Sequence, residues 1–155
     1  MTATVGLDEV TALMMWIMGS MEVLGSRVLL RPFELARSHR FYRDTLGLAI
    51  YREFGRQDAP GLVFFLGNGL LEVSGQATEP PGDAIALWIQ VRDIRDEHRH
   101  LVSAGVTVLR EPRREAWGLD EMWIADPDGV RIVLVEIPKD HPLRGDQRHL
   151  PAGDE

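Results

Sequence analysis

The chain repeats itself, and a repeat of this kind leaves few folds open. Placing Arg27 over Ala86 sets Glu34 on Asp93, Leu35 on Ile94, His39 on His98, Arg40 on Arg99 and Thr45 on Ala104. One gap then brings Gly47 onto Gly105 and Arg52-Glu53 onto Arg110-Glu111. Each half reads strand, helix, then three strands. In the first half the strands fall at 27–32, 48–53, 62–66 and 70–74. The helix runs over 34–46, with Leu35, Tyr42 and Leu46 on one face, Phe41 beside them and Gly47 as its stop. Gly67-Asn68-Gly69 joins the last two strands, and Asn-Gly is a strong hairpin signal. In the second half a strand at 86–91 precedes a helix capped by Asp93 and ended by Gly105. A strand at 106–109 and a loop at 110–119 lead to a hairpin about Asp126-Pro127-Asp128-Gly129. A unit of ~50 residues buries too little core alone. Two copies side by side bury one face of a sheet against their helices, and the other face curves into a cup. The expected fold class is therefore α+β, with modules at 26–75 and 84–138 inside a domain at 26–138.

The rest of the chain bounds function more than fold. A net charge of −7 argues against nucleic acid as a partner. There is no cysteine, which removes disulfides and thiolate metal sites and fits a cytoplasmic protein. Of the basic residues only Lys139 is lysine; the arginines suit carboxylate or phosphate clamping. The apolar run at 12–18 is too short to span a bilayer, and Asp8 and Glu9 stand where a signal peptide carries basic residues, so no membrane is expected. Residues 1–25 read as an extension, with Leu7, Val10, Leu13, Met14, Ile17, Met18 and Met21 at helical spacing. They are either a docking or dimerising helix or an extension caused by an upstream start codon, with Met21 the natural beginning. Residues 139–155, with Pro142, Gly145 and Pro151, read as a mobile tail.

Five stretches in this order resemble the vicinal oxygen chelate superfamily of glyoxalase I, extradiol dioxygenases and bleomycin-resistance proteins. They are Ser38-His-Arg-Phe-Tyr-Arg-Asp-Thr-Leu-Gly47, Val91-Arg-Asp93, Ala104-Gly-Val106, Trp117-Gly118 and Asp126-Pro-Asp-Gly129. The resemblance implies paired βαβββ modules forming a cupped, mostly antiparallel eight-stranded sheet with helices on its outer face. It also implies a homodimer. Four positions would carry the metal ligands of the family's enzymes, and here they hold Arg27, Glu72, Ala86 and Val133. A divalent cation wants three or four N or O ligands; arginine repels it, and alanine and valine offer no lone pair. No metal site and no cofactor are expected, a divalent metal being the alternative. Glu136 looks like a displaced fourth ligand, but alternation puts it on the face opposite Val133 and Val135.

Alternation sorts the strands into a cup face and a helix face. Arg27, Leu29, Arg31, Leu70, Glu72, Ser74, Ala86, Trp88, Gln90, Arg131, Val133 and Val135 point into the cup. Trp117 and either Met122 or Trp123 complete the wall. The expected ligand-binding residues are Arg27, Arg31, Glu72, Trp88, Gln90, Trp117, Trp123 and Val133. Arg27 is expected to pair with Glu72, either as a self-satisfying filler or as a receptor for a ligand oxyanion. The tryptophans either stack a planar ligand or fill core. Glu72 is the one weak catalytic candidate, as a general base, and Arg27 would hold its basicity down. The reading is a metal-independent small-molecule binding protein of the bleomycin-resistance type. The alternatives are a glyoxalase- or dioxygenase-type lyase or oxidoreductase with an atypical or absent metal, and a non-catalytic dimer with a filled cup.

Overall fold

The computed structural model describes residues 21–144. The expected helix within residues 1–25 falls, up to residue 20, outside them, as does the tail beyond Arg144. The elements follow the repeat. The first module holds β1 (Val28–Leu30), α1 (Leu35–Arg40, continued by a wider π-helical turn at Phe41–Thr45), β2 (Ile50–Arg56), β3 (Ala59–Leu66) and β4 (Gly69–Val73). The second holds β5 (Ala86–Val91), α2 (Ile94–Ser103), β6 (Thr107–Arg114), β7 (Asp120–Ala125) and β8 (Arg131–Glu136). Both helices stop at the expected glycines, Gly47 at φ 69° and Gly105 at φ 74°. Left-handed backbone there costs a side-chain-bearing residue energy that glycine avoids. The Asp93 carboxylate caps α2, accepting from the N–H groups of Arg95 at 3.0 Å and Asp96 at 2.9 Å.

The eight strands ladder as two sheets of four rather than one of eight, in the orders β1-β4-β3-β2 and β5-β8-β7-β6. In each, the first and last strands of the module pair in parallel, with Leu29 opposite Glu72 and Trp88 opposite Val133. The other pairs are antiparallel. The helix-facing sides merge into one apolar cluster. Tyr42, Phe64, Leu71 and Val73 come from the first module, and Leu87, Leu101, Met122, Ile124 and Ile132 from the second. This shared core is the physical reason for two modules, since neither half buries enough alone.

Two expected loops are strand. β2 runs on to Arg56 and turns at Gln57-Asp58 straight into β3, with Arg56 opposite Ala59. β6 runs through Arg110–Arg114, although Glu and Pro are poor strand formers. Cross-strand partners override propensity there: Arg113 faces Glu121, and Arg114 Nε donates to Asp120 Oδ1 at 2.6 Å. Pro112 is tolerated because β6 is an edge strand. Met122 is fully buried in the core, so Trp123, not Met122, lies on the face turned away from the helices. Glu136 accepts from the Ile94 N–H at 3.0 Å, on the helix face.

The β7–β8 turn ties the modules together. Buried Asp126 takes the Tyr42 hydroxyl at 2.9 Å, and it also accepts from the N–H groups of Asp128 and Val130. Asp128 accepts from the Phe33 N–H at 2.9 Å and pairs with Arg37. His39 is buried and donates from Nε2 to the Val73 carbonyl at 3.0 Å. After β8 the chain closes on itself with a 3₁₀ turn at Pro142–Arg144, where Arg144 Nε donates to the Ile137 carbonyl.

Candidate functional site

The faces turned away from the helices carry the expected site residues, in two groups. On the first sheet, alternation along β1 and β4 gathers Arg27, Arg31, Glu72 and Ser74. Arg27 donates from one terminal nitrogen to Glu72 Oε2 at 3.0 Å. The Ser74 hydroxyl donates to Glu72 Oε1 at 2.7 Å. Arg31 donates to the Ser74 hydroxyl oxygen at 2.8 Å and to the Ser74 carbonyl at 3.3 Å, and lies 3.5 Å from Glu72. The expected Arg27–Glu72 pair is thus part of a four-residue relay. Glu72 is screened from solvent by these partners rather than sunk in the core, while both arginine side chains are over a third open. The Ser74 hydroxyl first, and then Arg27 and Arg31, hold the Glu72 carboxyl below the ordinary glutamate range. A carboxylate so held is a poor proton acceptor, which weighs against Glu72 as a general base.

On the second sheet, Trp88, Gln90, Val133 and Trp123 share the corresponding face, with Trp88 and Trp123 flanking Val133 on neighbouring strands. The Arg110 guanidinium stacks over the Trp123 ring at 3.9 Å, and Arg131 approaches it at 5.2 Å. Arg110 is matched by Glu115 at 2.6 Å and Glu121 at 3.2 Å. The Trp117 indole N–H donates to Glu121 Oε1 at 2.9 Å, which fixes Trp117 on this wall. Arg110, Glu115 and Glu121 were not among the expected site residues. One signal in the sequence pointed to Glu121: alternation along β7 sets it two residues from Trp123, on the same face.

The two groups line different hollows. Leu29 and Arg31 border a cleft of about 320 Å³ shared with Val28, Phe33, Ile85, Leu87 and Val130. Trp88 and Gln90 border another, of about 560 Å³, with the Gly67-Asn68 turn and Arg144. Trp123 and Arg131 border a third, of about 390 Å³, with Leu109 and Asp83. Large apolar side chains on these faces stand half open: Leu29 at 55%, Trp88 at 52% and Trp117 at 58%. Core filling therefore does not account for Trp88 and Trp117.

The four positions of the family metal site do not fit a divalent cation. Arg27, Glu72, Ala86 and Val133 supply one carboxylate, and it already faces two guanidinium groups. Among the described residues no group of three or more His, Asp or Glu side chains is placed to hold a metal. No described helix is long and apolar enough to cross a membrane.

A model of the Glyoxalase/Bleomycin resistance protein/Dioxygenase superfamily matches residues 26–134. Solved structures share the fold. SMU.1112c is 24% identical, with a TM-score of 0.62 over 76% of this chain and 100% of its own. A superfamily member from Sphaerobacter thermophilus is 22% identical, with a TM-score of 0.62 over 76% and 99%. A glyoxalase-related enzyme from Fulvimarina pelagi is 22% identical, with a TM-score of 0.60 over 76% and 90%. At these identities the likeness shows the fold alone. No curated protein matches the chain.

Proposed function

We propose, for a chain that belongs to the Glyoxalase/Bleomycin resistance protein/Dioxygenase superfamily, that it is a metal-independent small-molecule binding protein of the bleomycin-resistance type, working in the cytoplasm as a homodimer. The observation that carries the reading is the state of the helix-free faces. They combine half-exposed Leu29, Trp88 and Trp117 with fixed polar groups at Arg27, Arg31 and Glu72 and an exposed amide at Gln90. An open apolar wall with a few convergent polar groups is what a ligand site requires. A second copy of the chain supplies the cover that a single chain leaves off these rims. The donor set at the four family positions supports metal independence: a cation placed beside Arg27 and Arg31 meets two positive charges and one carboxylate that they already engage.

The test joins three measurements on protein purified without chelators. Light scattering is expected to give twice the 17.5 kDa chain mass. Elemental analysis is expected to find manganese, iron, nickel and zinc well below stoichiometric levels. Native mass spectrometry against a library of small amphipathic compounds is expected to show adducts that are lost in Trp88→Ala. A stoichiometric metal, or a compound turned over only when metal is added, overturns the reading. A monomer that binds nothing in the library overturns it as well.

A further inference from the structure

The relay on β1 and β4 has a charge surplus that its own contacts do not remove. Two guanidinium groups meet one carboxylate, in a protein whose net charge is −7. Arg27 gives one terminal nitrogen to Glu72. Its Nε and other terminal nitrogen donate to no described residue. Arg31 gives one terminal nitrogen to Ser74, and its Nε and second terminal nitrogen are likewise uncommitted among the described residues. A guanidinium carries five N–H donors in a rigid fork that matches a carboxylate.

The surroundings hold this fork in place. Gly75, at φ 67°, lets the Arg31 stem lie against the end of β4, where an added Cβ would stand 3.0 Å from Arg31 Cδ. Ser74 fixes the head of Arg31, and Glu72 fixes the head of Arg27. The depressed Glu72 carboxyl stays ionised, so the surplus stays at one charge across the neutral range. Beside Arg31 opens the apolar cleft of about 320 Å³, walled by Val28, Leu29, Phe33, Ile85, Leu87 and Val130. That volume lies within the range of small-ligand pockets. Two further carboxylates border it. Asp128 is engaged by Arg37 and the Phe33 N–H. Glu79 bonds to neither arginine among the contacts of the described residues, and it is exposed.

We infer that the ligand is an apolar monocarboxylate, its carboxylate held by the uncommitted nitrogens of Arg31, with Arg27 on the far side of Glu72 adding its charge, and its apolar body lying in the cleft between β1 and β5. One negative charge neutralises the surplus; a dianionic phosphate overshoots it and faces Glu72 at short range. This inference rests on the small-molecule reading and adds the ligand's charge class.

Isothermal titration of the full chain at pH 7 with three probes of one shape tests it: 2-naphthoate, 2-naphthyl phosphate and 2-naphthalenemethanol. 2-Naphthoate is expected to bind about tenfold or more tightly than either of the others, the worth of one charge-assisted contact. Arg31→Met is expected to abolish that preference, so that naphthoate and the alcohol bind alike. Arg31→Gln keeps a polar partner for Ser74 and gives the same result if Arg31→Met does not fold. Glu72→Gln raises the surplus to two and is expected to shift preference toward the phosphate. Equal affinity of the wild type for naphthoate and the alcohol overturns the carboxylate inference and leaves the binding reading standing. Binding of none of the three overturns both. Undiminished naphthoate binding in the Arg31 variants overturns the assignment of the site.

Discussion

Replacing Tyr42 by Phe removes one oxygen from the contact that joins the two modules and leaves the ring where it packs, edge-on to Phe41 at 5.1 Å and tilted over Phe64 at 6.3 Å. The apolar burial is unchanged, so the loss is that of a hydrogen bond to a buried carboxylate. Asp126 is only 4% exposed, and burial pushes its carboxyl above the ordinary aspartate range. Such a group loses stability as pH rises from its unfolded value near ~4 through its folded one. At neutral pH the ionised form therefore carries a cost, which three donors offset: the Tyr42 hydroxyl at 2.9 Å and the N–H groups of Asp128 at 2.9 Å and Val130 at 2.8 Å. Taking away one of three charge-assisted donors costs about 2 kcal/mol. Urea unfolding followed by circular dichroism, at one fixed protein concentration, measures it; the midpoint falls and the slope stays constant. A double-mutant cycle with Asp126→Asn is expected to return a coupling of about 1–2 kcal/mol. High pH supplies an independent check. Burial first, and Asp126 second, raise the Tyr42 hydroxyl above its ordinary value. Its contribution is intact below pH ~10 and lost as pH rises beyond it, so wild type and Tyr42→Phe converge in alkali. A loss under about 0.5 kcal/mol, or a coupling near zero, refutes the view that this bond holds the modules together.

Three further outcomes follow from particular contacts. Gly61→Ala places a Cβ 2.5 Å from Phe54 Cζ and 2.9 Å from Ser74 Cβ. It is expected to cost about 1–3 kcal/mol by overpacking, read from the urea midpoint. Glu72→Gln removes a carboxyl held below its ordinary range. That contribution is present above pH ~4.3 and lost as pH falls through the folded value, so wild type is expected to lose stability on acidification more steeply than the variant in a midpoint-against-pH series. Asp93→Ala removes the cap that accepts from two N–H groups and is expected to cost about 1 kcal/mol, with faster amide exchange confined to the first turn of α2.

The parts of the fold that were legible in the sequence are those set by neighbours along the chain. Gly47 and Gly105 stop the helices because only the local backbone has to turn left-handed. Asp93 caps α2 because its side chain reaches N–H groups two and three residues on. Period-two alternation put Arg27, Arg31 and Glu72 on one face, and the parallel pairing of β1 with β4 then brought Arg27 within reach of Glu72. Propensity misled where a strand is held by its partner rather than by its own residues. The Arg110–Arg114 stretch of β6 is strand because Glu121 and Asp120 face it, and no property of Arg-Glu-Pro-Arg-Arg announces that.

The sequence by itself determined the duplicated module, the ends of its helices and the hairpin at Asp126–Gly129. Each depends on residue type and on spacing within one element. Only the tertiary structure decided that the strands ladder as two sheets of four. It alone decided that Tyr42 meets Asp126 across the modules and that Ser74 links Arg31 to Glu72. It alone stacked Arg110 on Trp123 and left Trp88 half open. Those facts depend on distances between residues far apart in the chain, which packing sets and local chemistry does not.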